Sequence, residues 1–280
     1  MKKLYVSGTF LLVALFANNA LALTTTIMDT AQGLTQNILG NGVAISNVSY
    51  TGATWASGYF SNGNSSGLGI DSGIVLTTGA VSNINGTTNT SSSITANNGL
   101  LGNAYLTNLV GTGTNDATVL SFDFVSQTDS VYFNYVFASE EYNEYVGSQF
   151  NDVFAFDFEG QNIALLPNSN EFVSINNVNN GSYSQFYNDN AAGGFGLEYD
   201  GFTDVFTATQ TGLEIGTTYR ISLLIADAAD SLLDSGVFLE GGSFTSDPPS
   251  ATPIPGSLLL LGSGLVGIVS ARRKKKNYKV

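Results

Sequence analysis

SVYFNYVFASEEYNEYVGSQFNDVFAFDF, Ser130 to Phe158, decides how this chain folds. Two apolar runs, Val131 to Phe137 and Val153 to Phe158, are dense in aromatic and β-branched residues, the composition of buried or half-buried strands. A short acidic loop between them holds Glu140, Glu141 and Glu144, and Asp152 stands just ahead of the second run. Packing gives no reason for carboxylates at the junction of two core strands. They repel one another unless water or a cation intervenes.

Outward from this stretch the pattern stays short and β-rich. Thr118 to Val125 alternates, with Leu120, Phe122 and Phe124 on one face. Ile74 to Thr78 reads as a buried strand and Val43 to Val48 as the first strand. Downstream, strands are expected at Ile163–Leu166, Phe172–Ile175, Val205–Thr209, Tyr219–Ala226 and Gly236–Phe244. Leu23 to Asn41 reads as a short helix capped by Asp29 or Thr30, with Ile27, Ala31, Leu34 and Ile38 on one face. Tyr50–Asp71 reads as loop, anchored by Trp55 and Phe60. Val81–Thr114 reads as polar loop with a brief helical tendency at Leu100–Leu109, and Asn176–Asp200 as a long Asn/Gly/Tyr loop. About ten short strands with Gly/Asn turns predict an all-β fold, an antiparallel β-sandwich or jelly-roll-like domain with one or two short helices.

Both ends read as targeting elements. Lys2 and Lys3, the apolar stretch Leu4–Ala17 and the Ala20-Leu21-Ala22 pattern make residues 1–22 a secretory signal, with cleavage after Ala22. The domain then runs over 23–247, and 248–252 is a linker. Residues 253–280 form a tail: Pro253-Ile254-Pro255, an apolar run at about 256–271, and the cluster Arg272-Arg273-Lys274-Lys275-Lys276. That run spans only about 24 Å as a helix, a short transmembrane segment helped by snorkelling basic residues. Its basic flank belongs on the cytoplasmic side, so residues 23 to about 252 are exported.

Of nine basic residues only Arg220 lies in the exported part, against all 22 acidic ones, a net charge of −21 there. Such a field disfavours nucleic acid and anionic membrane surfaces and favours cations. The chain has no cysteine and no histidine. Disulfides, Ser-His-Asp triads, Cys nucleophiles and Zn or Cu sites with imidazole or thiolate ligands are therefore ruled out. Hard cations or a carboxylate acid/base pair remain.

Two acidic groups could carry such chemistry. Glu140, Glu141 and Asp152 flank the acidic loop; Asp227, Asp230 and Asp234 lie between the last two long strands. Oxygen ligands crowded on two inter-strand connections suit Ca²⁺, which takes six to eight oxygens in flexible geometry. Asp side chains also cap strand ends and turns with no metal involved. A glycoside hydrolase would use the same carboxyls as an acid/base pair beside an aromatic cleft, with Tyr142, Tyr145, Trp55 and Phe150 as stacking surface. A carbohydrate-binding module would use Tyr183, Phe186, Tyr187, Phe195 and Tyr199.

The exported part resembles the choice-of-anchor L domain family of bacterial surface proteins. The matching stretches include Ser72–Gly79, Phe137–Tyr142, Glu144–Ser148, Phe150–Phe154, Val173–Asn179, Tyr199–Thr203 and Asp234–Glu240. FASEEY, FNDVF and DSGVFLE are the specific ones. The resemblance implies a surface domain and no enzyme. The tail is similar to PEP-CTERM sorting signals through Pro253, Pro255, Leu258–Leu261, Gly262–Leu265, Arg272 and Arg273, departing at Ile254, where glutamate is usual. It implies Sec export, handling by an exosortase in the inner membrane of a Gram-negative bacterium, and delivery to the cell surface or exterior. The role expected is structural or adhesive, in a biofilm matrix with extracellular polysaccharide or other surface proteins as partners.

Overall fold

Residues 22–41 and 43–248 are described by the structure, a computed structural model. The expected leader and the tail with Pro253, Pro255, Arg272, Arg273 and the expected transmembrane helix lie outside the described residues. Among the described residues no helix is long and apolar enough to cross a membrane.

In chain order the strands are β1 (Thr24–Ile27), β2 (Ile45–Thr51), β3 (Ser57–Ser61), β4 (Gly73–Thr77), β5 (Thr114–Val125), β6 (Ser130–Ser139) and β7 (Val153–Phe158). They continue with β8 (Gln161–Asn162), β9 (Tyr187–Asp189), β10 (Gly201–Thr203), β11 (Phe206–Thr211), β12 (Thr218–Ala228) and β13 (Ser235–Glu240). Short helices occupy Ala31–Ile38 (α1), Gly63–Ser66 (α2) and Ala104–Val110 (α3). One sheet runs β1-β3-β4-β13-β6-β10-β9 with β11 also on β6; the other runs β2-β5-β12-β7-β8. The fold is all-β, and the strand pairings are antiparallel.

Side chains alternate across a strand. Val131, Phe133, Tyr135 and Phe137 of β6 therefore share a core with Leu120, Phe122 and Phe124 of β5, Phe154 and Phe156 of β7, and Ile221, Leu223 and Ile225 of β12. The rings interlock. Phe137 stacks on Phe154 at 5.4 Å, and Tyr135 meets Phe156 edge-on at 4.9 Å. Each such ring contributes about 1.5–3 kcal/mol by leaving water. The opposite face of the larger sheet is buried too. Val75, Val136, Ala138 and Phe238 pack with Leu197, Tyr199 and Phe202. On the outer face of the smaller sheet, Leu106 of α3 packs with Ala117, Val153, Ala155, Leu224 and Ala226. The described residues up to Asp247 make one unit with this core of its own.

Several local expectations need correction. Thr24–Ile27 is an edge strand, not the start of a helix, because three consecutive β-branched threonines pair with β3; the helix begins only at Ala31. β3 replaces part of the expected loop Tyr50–Asp71. Its Gly58 is needed there, since a Cβ would lie 2.4 Å from the Thr26 carbonyl oxygen. Ile163–Leu166 and Phe172–Ile175 are not strands; they make only isolated bridges, Leu165 with Phe172 and Ser174 with Val153.

Candidate functional site: a buried carboxylate cluster

Four strands meet at one end of the sandwich. β6 and β13 belong to the larger sheet, β7 and β12 to the smaller. At this end Ser139 pairs with Ser235, and Val153 with Ala226. Two connections cross between the sheets here: residues 140–152 from β6 to β7, and residues 229–234 from β12 to β13. The expected acidic residues sit in these crossings, except Asp227, which lies inside β12.

Asp152 ties the sheets together. Its Oδ1 accepts from the Ala228 N–H at 2.8 Å, and its Oδ2 from the Ser235 hydroxyl at 2.6 Å. The Ser139 and Ser235 hydroxyls lie 2.7 Å apart. Asp227 is 1% exposed, and neither of its oxygens accepts a hydrogen bond. Asp234 accepts from the Ala96 N–H at 2.9 Å through Oδ1, and its Oδ2 has no partner. Asp234 also lies hard against Gly79, where a Cβ would fall 1.7 Å from its Oδ2. Glu140 and Glu141 are buried, each with an unpartnered Oε2. Asp230 is half-buried on the wall of a cavity with Glu141, and Glu144 is exposed.

The polar segment 85–100, part of the expected loop Val81–Thr114, lies across this end. Asn98 and Leu100 donate backbone N–H groups to the two oxygens of buried Asp116, at 3.0 and 2.6 Å. Thr90 donates its N–H and hydroxyl to Glu198 Oε1, at 2.9 and 2.6 Å. Asn89 donates to Asp200 Oδ1, and Asp200 Oδ2 is left without a partner. Asp116, Glu198 and Asp200 thus join the acidic end unforeseen. Tyr199-Asp200-Gly201 does lie within a stretch already singled out. Among the described residues no group of three or more acidic side chains already stands in an arrangement that could hold a metal ion.

The family model described as Choice-of-anchor L domain matches residues 24–245. The chain belongs to the choice-of-anchor L domain family. Membership places it among exported or surface-anchored proteins. No curated protein and no solved structure matches it.

In this choice-of-anchor L domain the carboxyls resist ionisation. Burial, then the charges of Asp200, Glu198 and Asp234, pushes Glu140 up to about 10. Burial, then Asp152, Asp230 and Glu144, raises Glu141 to about 9. Burial raises Asp152 to about 7, opposed by its bonds from Ser235 and Ala228. Asp200 rises to about 6, mainly by burial, opposed by Asn89. Asp227 is held well above the usual carboxylate range by burial and then by Asp152, even though Thr78 stands close enough to oppose the shift. Burial also raises Asp234. Among the described residues no basic side chain offsets these charges: Arg220 is engaged by Asp123 at 2.8 Å.

Of the aromatics expected at a sugar site, Tyr145 and Phe150 line the cavity with Glu141 and Asp230, and the others are engaged elsewhere. Tyr142 is fully buried and donates to the Val178 carbonyl at 2.7 Å. Tyr199 is buried, Phe195 packs edge-on against Phe202 at 4.8 Å, and Phe186 against Phe206 at 5.5 Å. Tyr183 and Tyr187 are half-buried; Tyr187 donates to Asn143 at 2.8 Å. Trp55 remains on the surface, its indole N–H given to Asn98 at 2.6 Å.

Proposed function

We propose that this protein is a non-catalytic structural or adhesive module of the cell surface or extracellular matrix, stiffened by Ca²⁺. It is exported by the Sec machinery, held in the inner membrane by its C-terminal helix and sorted by an exosortase. Its partners are extracellular polysaccharide or neighbouring surface proteins, in the setting of a Gram-negative biofilm.

One observation carries the Ca²⁺ reading. Both Asp227 oxygens are buried without a donor, and Asp152 and Asp234 are the charges that act on it most. Orphaned, buried carboxylate oxygens cost free energy unless a proton or a cation meets them. Ca²⁺ accepts carbonyls and water beside carboxylates, so Asp227 with Asp152 or Asp234 is enough to begin a shell. Glu140 and Glu141 border that centre. Asp230, half-buried on the cavity wall, is the weakest candidate of the expected six.

Thermal unfolding of residues 23–247 in Ca²⁺, in Mg²⁺ and in chelator tests this reading. At a hundredfold excess over Kd, Ca²⁺ adds about 2.7 kcal/mol, roughly 5–11 °C in Tm for a domain of this size. The rise should be specific to Ca²⁺ and absent from Asp227→Asn. No difference between Ca²⁺ and chelator would defeat it. For the tail, neutralising Arg272–Lys276 should impair retention and sorting, and unchanged fractionation would count against that signal.

A further inference from the structure

A cavity of about 320 Å³ opens beside the carboxylate cluster. Ligand pockets begin at about this size. Its wall has two kinds of surface. Tyr145, Phe150, Leu232 and Leu233 make it mostly apolar, and Glu141 and Asp230 are its charges. Tyr145 and Phe150 meet edge-on at 5.4 Å, an arrangement that covers one face of one ring only.

Three further observations mark this cavity as built for something. Glu141 is 1% exposed, and its Oε2 has no hydrogen-bond partner. The lip keeps apolar side chains in water: Leu232 is 50% exposed and Tyr145 37%. The wall also holds a backbone conformation that costs free energy. Leu233 has φ 62°, the left-handed region that side chains avoid.

We propose that this cavity binds a primary ammonium on an aliphatic stem, a lysine side chain presented by a partner polypeptide. The apolar wall takes the methylenes, and the rings of Tyr145 and Phe150 take the charge over their faces. Asp230 supplies the counter-charge, and an arriving ammonium favours ionisation of Glu141, whose carboxyl burial otherwise keeps protonated. Asp230 is the accessible carboxylate, its Oδ1 receiving only the Leu232 N–H at 3.2 Å. The cation has to come from outside, since the domain's sole basic residue, Arg220, is engaged by Asp123. The domain's formal charge of −21, lowered by the carboxyls held neutral but still strongly negative, steers such a group inward. This site does not depend on an ion at Asp227.

The test is an NMR titration of residues 23–247 with Nα-acetyl-lysinamide, in chelator so that Ca²⁺ plays no part. Nα-acetyl-norleucinamide, with the same stem and no charge, is the control. Signals of Tyr145, Phe150 and Leu232 should shift saturably with the lysine probe and not with norleucine. Glu141→Gln and, as a milder change at the mouth, Asp230→Asn should each weaken binding by tenfold or more, and Tyr145→Ala likewise. Equal response to both probes, no saturable shift, or binding that survives both carboxylate substitutions would overturn the assignment. So would a saturable response to N-acetylglucosamine at the same residues with none to lysine.

Discussion

Replacing Glu140 by glutamine exchanges a carboxyl for an amide of the same shape. Glu140 is 2% exposed, its Oε2 is unpartnered, and burial with its acidic neighbours raises it to about 10. An unfolded glutamate titrates near 4.3, and each unit of difference is about 1.36 kcal/mol. A native carboxyl that keeps its proton at pH 7 therefore costs about 4 kcal/mol relative to the unfolded chain. Asp200, Glu198 and Asp234 still repel one another after the change, so this is a ceiling, and a gain of about 1–4 kcal/mol is expected. The sign follows from the direction of the shift. A folded-state value above the unfolded one leaves stability intact below pH 4 and removes it as the pH climbs toward 10. In chelator, wild type and Glu140→Gln should thus melt together at pH 4. At pH 7 the variant should melt higher, by about 2–4 °C per kcal/mol. Circular dichroism melts of residues 23–247 between pH 4 and 9 read this directly. A variant that melts lower at pH 7, or a difference that ignores pH, would show that Glu140 is not held neutral inside the fold.

Gly79→Ala drives a methyl group onto the Asp234 carboxylate, 1.7 Å from Oδ2, and should cost about 1–3 kcal/mol while weakening any Ca²⁺ stabilisation, both read from melts with and without the ion. Phe156→Ala removes the ring that touches Phe133 at 4.5 Å, Tyr135 at 4.9 Å and Phe154 at 5.2 Å. About 3–5 kcal/mol should be lost in urea unfolding, and a loss under 1 kcal/mol would mean the two sheets do not share this core. Arg220→Ala breaks a pair whose arginine is 48% exposed. It should leave the urea midpoint nearly unchanged, and a clear fall would mean that the pair fixes β12 on β5.

Much of the fold is written in local pattern. Alternation in Leu120-Ser121-Phe122-Asp123-Phe124 and in Val131 to Phe137 puts every second side chain into one core, because strand geometry has a period of two. Glycine hid what alternation could not reveal: Ser57–Ser61 has too little apolar signal to read as a strand, yet Gly58 is there so that β1 can approach. The acidic residues at the ends of the long strands were legible as well, since carboxylates beside core aromatics have no packing role.

What they do there was not legible. Residue types and spacing establish by themselves that Glu140, Asp152 and Asp234 border strands, that no cysteine or histidine chemistry is open to the chain, and that Arg220, the one basic residue between positions 23 and 247, cannot balance 22 acids. Only the tertiary structure brings residue 152 to residue 235, lays segment 85–100 over the cluster, adds Asp116, Glu198 and Asp200, and leaves both Asp227 oxygens without a donor. The reason is physical. Strand propensity and alternation act over a few residues, whereas desolvation and repulsion among carboxyls depend on which distant segments close over them. That closure is decided by how two sheets pack, and no local stretch of sequence encodes it.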